Sequence, residues 1–381
     1  MKKVLLSMFV CITIFWLTVS SSAYLLTEKN KILVDTLTIK AEQIIFKKWE
    51  NFRSPLIESI EKLSDKYSKE PKLQAILLSI MNNLTLSNKA EDPIYDILHD
   101  GLTRYYKIHL PMWYDSNKPT PVVIYLHGGG WNMRSAYVEW LAEMSDKYGF
   151  ILAVPEGTGD VKLGIIRATW NGEEEEWANG EWHGSLADDV GFISKMIVKI
   201  KENFNVNDKM VYATGISNWG LMTNHLGCEL SDQITAIATV APGAVKSDCN
   251  PQRAVSYMQI HGTADPSNPP DWSEPKWIFS DKSKSVFSKW YRRMTPYQVI
   301  DVWKGLNDCS NKTVDGYIHG DASCIVYPDC MDYSEVELCM VEGMWHTFPS
   351  GAQYLPSSLI GPVSYDISFD QIWEFFKNHS I

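Results

Sequence analysis

Ser217 stands in the stretch GISNWG, Gly215 to Gly220, between the apolar run Met210–Thr214 and the helix-forming stretch LMTNHLGCEL. A serine at a sharp break from strand to helix projects its hydroxyl above the sheet, and the amides opening the next helix face a developing oxyanion. The usual elbow spells G-x-S-x-G; this one carries Trp219 two residues after the serine, with Gly220 behind it. Two further segments supply what such a serine needs. QIHGTADPSNPP sets Asp265 just past an apolar run, and VEGMWHTFPSG sets His346 after the last such run. A serine hydroxyl is a poor nucleophile until an imidazole takes its proton, and a carboxylate must hold that imidazole in one tautomer and stabilise its charge. The chemistry these three types imply is acyl transfer.

An oxyanion needs donors. VVIYLHGGGW ends in His127-Gly128-Gly129-Gly130-Trp131, and glycines at a strand end let backbone N–H groups of Gly128 and Gly129 come close to a substrate oxygen beside that of Asn218. Trp131, Trp170, Trp219 and Trp345 are candidates to line an apolar acyl or aryl pocket, with ordinary core packing as the competing role. Asp188-Asp189 opens a helical stretch and is read as a cap. His127 and His261, each before a glycine, are read as loop-shaping hydrogen-bond partners, and His183 and Glu173 to Glu176 as solvated loop residues. No His/Cys cluster has zinc spacing and no glycine loop cradles phosphate, so the expectation is an enzyme with no metal and no cofactor.

The elements that must position these groups come from the hydropathy pattern. The chain has 381 residues, 45% hydrophobic and 21% charged, enough for a large core. Its net charge of −11 argues against nucleic acid and offers no basic patch for anionic lipid. Lys2 and Lys3, an apolar stretch from Val4 to Val19 and small residues ending at Ala23 read as a signal peptide over 1–23, too short to span a bilayer comfortably; left uncleaved, it would be a membrane anchor. Export makes disulfides the expected state of Cys228, Cys249, Cys309, Cys324, Cys330 and Cys339. Residues 24–93 carry apolar side chains spaced by threes and fours, Ile45 to Tyr67, and are expected to form a helical extension.

From 94 to 381 strands alternate with helices. An opening hairpin is expected at 95–98 and 103–110, then buried-type runs at Val122–Leu126, Ile151–Val154, Met210–Thr214, Ile237–Val240, Val255–Ile260 and Val336–Val341. Helices are expected at 134–148, 188–204, 218–230, 285–305 and 368–378. The fold class is α/β, a mostly parallel sheet with helices on both faces, and its sites belong at the carboxyl ends of the strands.

Taken together, HDGLTRYYKIHLP, VVIYLHGGG, ATWNG, DDVGFISKMI, VYATGISN, CELSDQITAIATVAPG, CNPQRAVSYMQIHGTADP, WKGLNDC and GMWHTFPSG resemble the secreted poly(3-hydroxybutyrate) depolymerase and feruloyl esterase-like family of α/β-hydrolases, over roughly 98–350. The resemblance implies Ser217 as nucleophile, Asp265 as acid, His346 as base, donors from the His127-Gly128-Gly129 turn and Asn218, and a bridge between Cys309 and Cys330. The family reads SNGG after the elbow and GGGHTWPG at the histidine, so Trp219 and Trp345 replace small residues, and an acidic loop replaces the cysteines after the WN element. The expectation is an exported serine carboxylesterase acting on polyhydroxyalkanoate or feruloyl or acetyl polysaccharide esters. Its partner is an ester, polymeric or small; its oligomeric state is left open. The rival readings are a non-catalytic hydrolase-fold binding protein with an impaired elbow and a serine peptidase.

Overall fold

A computed structural model describes residues 92–127, 133, 136–158, 161–162, 165–166, 170, 177–178, 181–182, 187–271, 273, 294–349 and 361–380. The signal segment, the extension up to residue 91, Gly128, Gly129, Trp131, His183 and the Glu173–Glu176 loop lie outside them. The described residues all fall in a unit running from Asp92 to Ile381.

Ten strands form one sheet: β1 (Ile94–His99), β2 (Leu102–His109), β3 (Thr120–Leu126), β4 (Ile151–Pro155), β5 (Val206–Ile216), β6 (Ala236–Val240), β7 (Ser256–Gly262), β8 (Val314–His319), β9 (Ala322–Tyr327) and β10 (Val336–Val341). Their spatial order is β1-β2-β4-β3-β5-β6-β7-β10-β9-β8. The six strands from β4 to β10 in this order are mutually parallel. Every residue of β4, β6 and β7 is buried, the continuous pattern of strands covered on both faces.

Helices α1 (Ala136–Tyr148), α2 (Asp189–Asn203), α3 (Asn218–Glu229), α4 (Pro296–Leu306) and α5 (Phe369–Lys377) flank the sheet. Local chemistry fixes their starts. Asp188 caps α2 through the amide of Gly191, as its position predicts. Thr295 with Gln298 and Ser368 with Gln371 make capping boxes for α4 and α5. The helix anticipated over 285–305 therefore begins, in its described part, at Pro296.

The periodicity did not anticipate the antiparallel pair β8 and β9, which extends the parallel core past β10. β8 is exposed or half-exposed along its length, and β9 alternates buried with exposed, so neither shows the continuous apolar run of the core strands. Two disulfides pin this edge: Cys324–Cys339 crosses from β9 to β10, and Cys309–Cys330 joins the segment after α4 to the loop between β9 and β10, closing the stretch that carries β8 and β9; elsewhere Cys228–Cys249 ties the end of α3 to the loop before β7.

Candidate active site

Strands β3, β5, β6, β7 and β10 run the same way, so the segments that follow them emerge on one edge of the sheet. His127 follows β3, Ser217 follows β5, Asp265 lies beyond β7 and His346 beyond β10. The motifs picked from the sequence thus share the carboxyl edge, where open α/β sheets place their chemistry.

Ser217 has φ 64° and ψ −129°, a left-handed backbone that a non-glycine residue holds only when its surroundings impose it. Its amide donates to the carbonyl of Val240 at 2.9 Å, and its carbonyl accepts from Leu221, the first bond of α3. A serine at a helix start ordinarily spends its hydroxyl on capping; Ser217 makes no side-chain cap bond. Asn218, first residue of α3, has one of the amides that a helix leaves without an internal acceptor.

Trp219 is 5% exposed and joins the core, its ring edge-on to His127 at 6.2 Å between centroids. Room for it comes from the strand: a Cβ at Gly215 would lie 3.0 Å from the backbone carbon of Trp219. Trp170 is also core, and its indole N–H donates to the carbonyl of His127 at 3.1 Å. Trp345 is half-buried, and a side chain at Gly361 would collide with its ring.

The loops that carry Asp265 and His346 are fastened to each other. Ala264 N–H donates to the carbonyl of Met344 at 3.2 Å, Gly343 N–H to Thr263 Oγ1 at 2.9 Å, and Thr263 N–H to the carbonyl of Val341 at 2.9 Å. Gly262 is a glycine of necessity, since a Cβ there would strike the Met344 carbonyl. Across this junction His346 Nδ1 stands 2.7 Å from Asp265 Oδ2. The other carboxylate oxygen accepts the amides of Ser267 and Asn268, both at 2.8 Å.

Burial by itself would raise the Asp265 carboxyl, but the His346 charge and hydrogen bond, then His261 and the Asn268 amide, outweigh it and hold the group at about 2. For His346 burial pulls downward, and the charge and hydrogen bond of Asp265 more than reverse this, leaving it above the ordinary histidine value. With Nδ1 committed to the carboxylate, Nε2 is the nitrogen left for proton transfer.

Sequence reasoning passed over Glu156. Its Oε2 accepts the amide of Met133 at 2.8 Å, and Gly157 N–H donates to His127 Nε2 at 2.9 Å, so the segment after β4 braces both ends of the glycine turn. An acid directly after the buried run ILAVP was the available signal. Among the described residues the one group with metal-like spacing is Cys324, Glu337 and Cys339, and its two sulfurs are joined to each other.

No protein-family model matches the chain. A protein of Aspergillus flavus described as "Probable feruloyl esterase C" is 25% identical over 204 residues, 52% of this chain and 70% of the relative. The feruloyl esterase C of Emericella nidulans is 27% identical over 168 residues, 44% of this chain and 57% of the relative. Among solved structures, the acetyl xylan esterase from Aspergillus awamori superposes with a TM-score of 0.48 at 13% identity, covering 75% of this chain and 99% of that one. The ten-stranded, mostly parallel sheet with its flanking helices is an α/β fold, and in sequence the chain is similar to feruloyl esterases.

Proposed function

We propose that the chain is a serine carboxylesterase that cleaves acetyl or feruloyl-type esters through an acyl-enzyme. The observation that carries this reading is the 2.7 Å bond from His346 Nδ1 to the fully buried Asp265 carboxylate. It fixes the tautomer in which Nε2 accepts a proton, as a general base must.

His346 Nε2 takes the proton of the Ser217 hydroxyl as Oγ attacks the acyl carbon. The carbonyl oxygen, now an anion, is held by the Asn218 amide at the start of α3 and by amides of Gly128 and Gly129. The tetrahedral centre collapses, the C–O bond to the alcohol breaks, and His346 returns the proton to that leaving oxygen. Water, deprotonated by the same imidazole, then releases the acid and regenerates Ser217. The strained backbone of Ser217 and its uncapped hydroxyl support the nucleophile's role. Trp345, half-buried beside His346 on the loop after β10, is proposed to contact the acyl group, and Trp131 and Trp219 to shape the pocket around it.

The feruloyl esterases among the relatives favour an aromatic or short acyl ester as substrate. The three disulfides favour export, with residues 1–23 as the signal and 24–93 as a separate extension ahead of the catalytic unit. Turnover of p-nitrophenyl acetate, methyl ferulate and a 3-hydroxybutyrate oligomer by the wild type and by Ser217→Ala tests the reading. Ester turnover lost by several orders of magnitude in the variant supports it. Equal turnover by both proteins removes the serine, and cleavage of peptide amides in preference to esters changes the class.

A further inference from the structure

Strand β7 departs from the apolar character of its neighbours at alternate positions. Tyr257, Gln259 and His261 point to one face, each at most 1% exposed, in the middle of a parallel sheet. Buried polar groups in a core are tolerated only when bonded, and these are bonded to one another in a line. Thr239 Oγ1 on β6 lies 2.8 Å from Tyr257 Oη, the Tyr257 hydroxyl donates to Gln259 Oε1 at 3.0 Å, and Gln259 Nε2 stands 3.3 Å from His261 Nδ1. At the far end His261 Nε2 is 2.8 Å from the carbonyl oxygen of Asn268 and 3.9 Å from Asp265 Oδ2.

The donors can be assigned along this line. The Tyr257 hydroxyl takes the oxygen of the Gln259 amide, so the amide presents N–H to His261. His261 Nδ1 is then an acceptor, the ring proton sits on Nε2, and Nε2–H donates to Asn268. Asn268 belongs to the turn whose amide holds Asp265, and its side-chain amide also donates to the carbonyl of Ala241. The imidazole N–H thus ties down the acid's turn, with the same nitrogen 3.9 Å from its carboxylate.

We propose that Gln259 and His261 are positioning residues of the hydrolytic site: Gln259 locks His261 as the neutral Nε2–H tautomer, and His261 fixes Asp265 and moderates its pull on His346. This rests on the reading in which Asp265 and His346 serve Ser217. Among the described residues, the titratable groups that face His261 are Asp265 on its own turn, Tyr257 on its own strand and His346 beyond Asp265 on the loop after β10. β6 offers Thr239, and α3 and α4 offer the uncharged Asn224 and Trp303, which bond each other at 3.2 Å. Glu337 on β10 pairs with Met258, whose side chain takes the opposite face. Stability alone does not call for such a line, because well-packed apolar side chains serve a core as well.

His261→Leu removes the N–H that tempers the Asp265 charge, so His346 holds its proton more tightly. The acid limb of kcat/KM should move up by about half a pH unit or more, and kcat for p-nitrophenyl acetate should fall roughly 10- to 100-fold with KM nearly constant. His261→Gln keeps an amide N–H where Nε2–H stood and should restore both. Gln259→Leu should lower kcat by about tenfold alone and add nothing in the His261→Leu background, since it acts only through that ring. Should His261→Leu fail to fold, His261→Gln and Gln259→Leu still decide: wild-type kcat in Gln259→Leu overturns the proposal, as does loss in His261→Gln equal to that of a triad variant. An unmoved or lowered limb in folded His261→Leu also overturns it. Labelling of the wild type by a fluorophosphonate separates the two layers: a labelled serine with an unmoved limb sinks this inference alone, and an unlabelled serine sinks the hydrolytic reading beneath it.

Discussion

A Cβ added at Gly215 would stand 2.8 Å from the Cβ of Trp219, closer than such atoms approach in folded proteins. Helix α3 therefore meets β5 over the glycine two residues before Ser217, while Gly220, one residue later than the usual elbow places it, meets Pro242. The tryptophan does not abolish the elbow, because the serine keeps its left-handed backbone. Gly215→Ala should push α3 off the strand, lowering stability by about 1–3 kcal/mol and ester turnover by more than that loss explains. Denaturant unfolding alongside p-nitrophenyl acetate kinetics measures both.

The Asp265–His346 pair gives pH dependence in two windows. His346 is raised above 6.5, so its contribution to stability is present at low pH and is lost as pH climbs through its folded value. Asp265 is depressed to about 2, so its contribution is present above the ordinary carboxylate range and is lost as pH falls toward that value. The proposed mechanism needs neutral His346, and kcat/KM should therefore rise with a limb above the ordinary histidine value. Asp265→Asn should bring that limb to lower pH and cut kcat by roughly 10⁴-fold. A pH–rate profile of both proteins provides the check.

Glu337 is buried on β10, and desolvation, helped by the charge of Glu335, pushes its carboxyl up to about 7. The folded state therefore binds its proton more tightly than the unfolded chain, and Glu337 destabilises the fold as pH rises from about 4.5 to 7. Glu337→Gln should leave stability unchanged near pH 4 and raise it at pH 8 by about 2–3 kcal/mol. Thermal or urea unfolding at the two pH values reads the difference.

Asp189 spends its carboxylate on Arg104 Nη2 at 2.5 Å, with both side chains almost fully buried and the guanidinium lying 4.2 Å over the Phe192 ring. Asp189→Asn leaves a buried cation without its counter-ion and should lower stability by about 3 kcal/mol or more, measured by urea unfolding.

That pair also marks where the sequence stops being legible. Capping could be read from Asp188 because it depends on a few neighbouring residues, whereas the partner of Asp189 lies on β2, far along the chain. The core strands announced themselves as unbroken apolar runs, and the motif order along them named residues that the parallel sheet then brings to one edge. β8 and β9 gave no such signal, since β8 is exposed or half-exposed along its length and β9 alternates buried with exposed positions in place of an unbroken apolar run. The Tyr257, Gln259 and His261 line was visible as alternation in SYMQIHG, but its meaning depends on bonds to Thr239 and Asn268 that only the fold creates.

The most direct measurement is intact-mass and peptide mapping after exposure to a fluorophosphonate. One adduct is expected, carried on the peptide containing Ser217, formed faster as pH rises through the His346 titration and absent in His346→Ala. An unmodified protein, or an adduct on another serine, would contradict it.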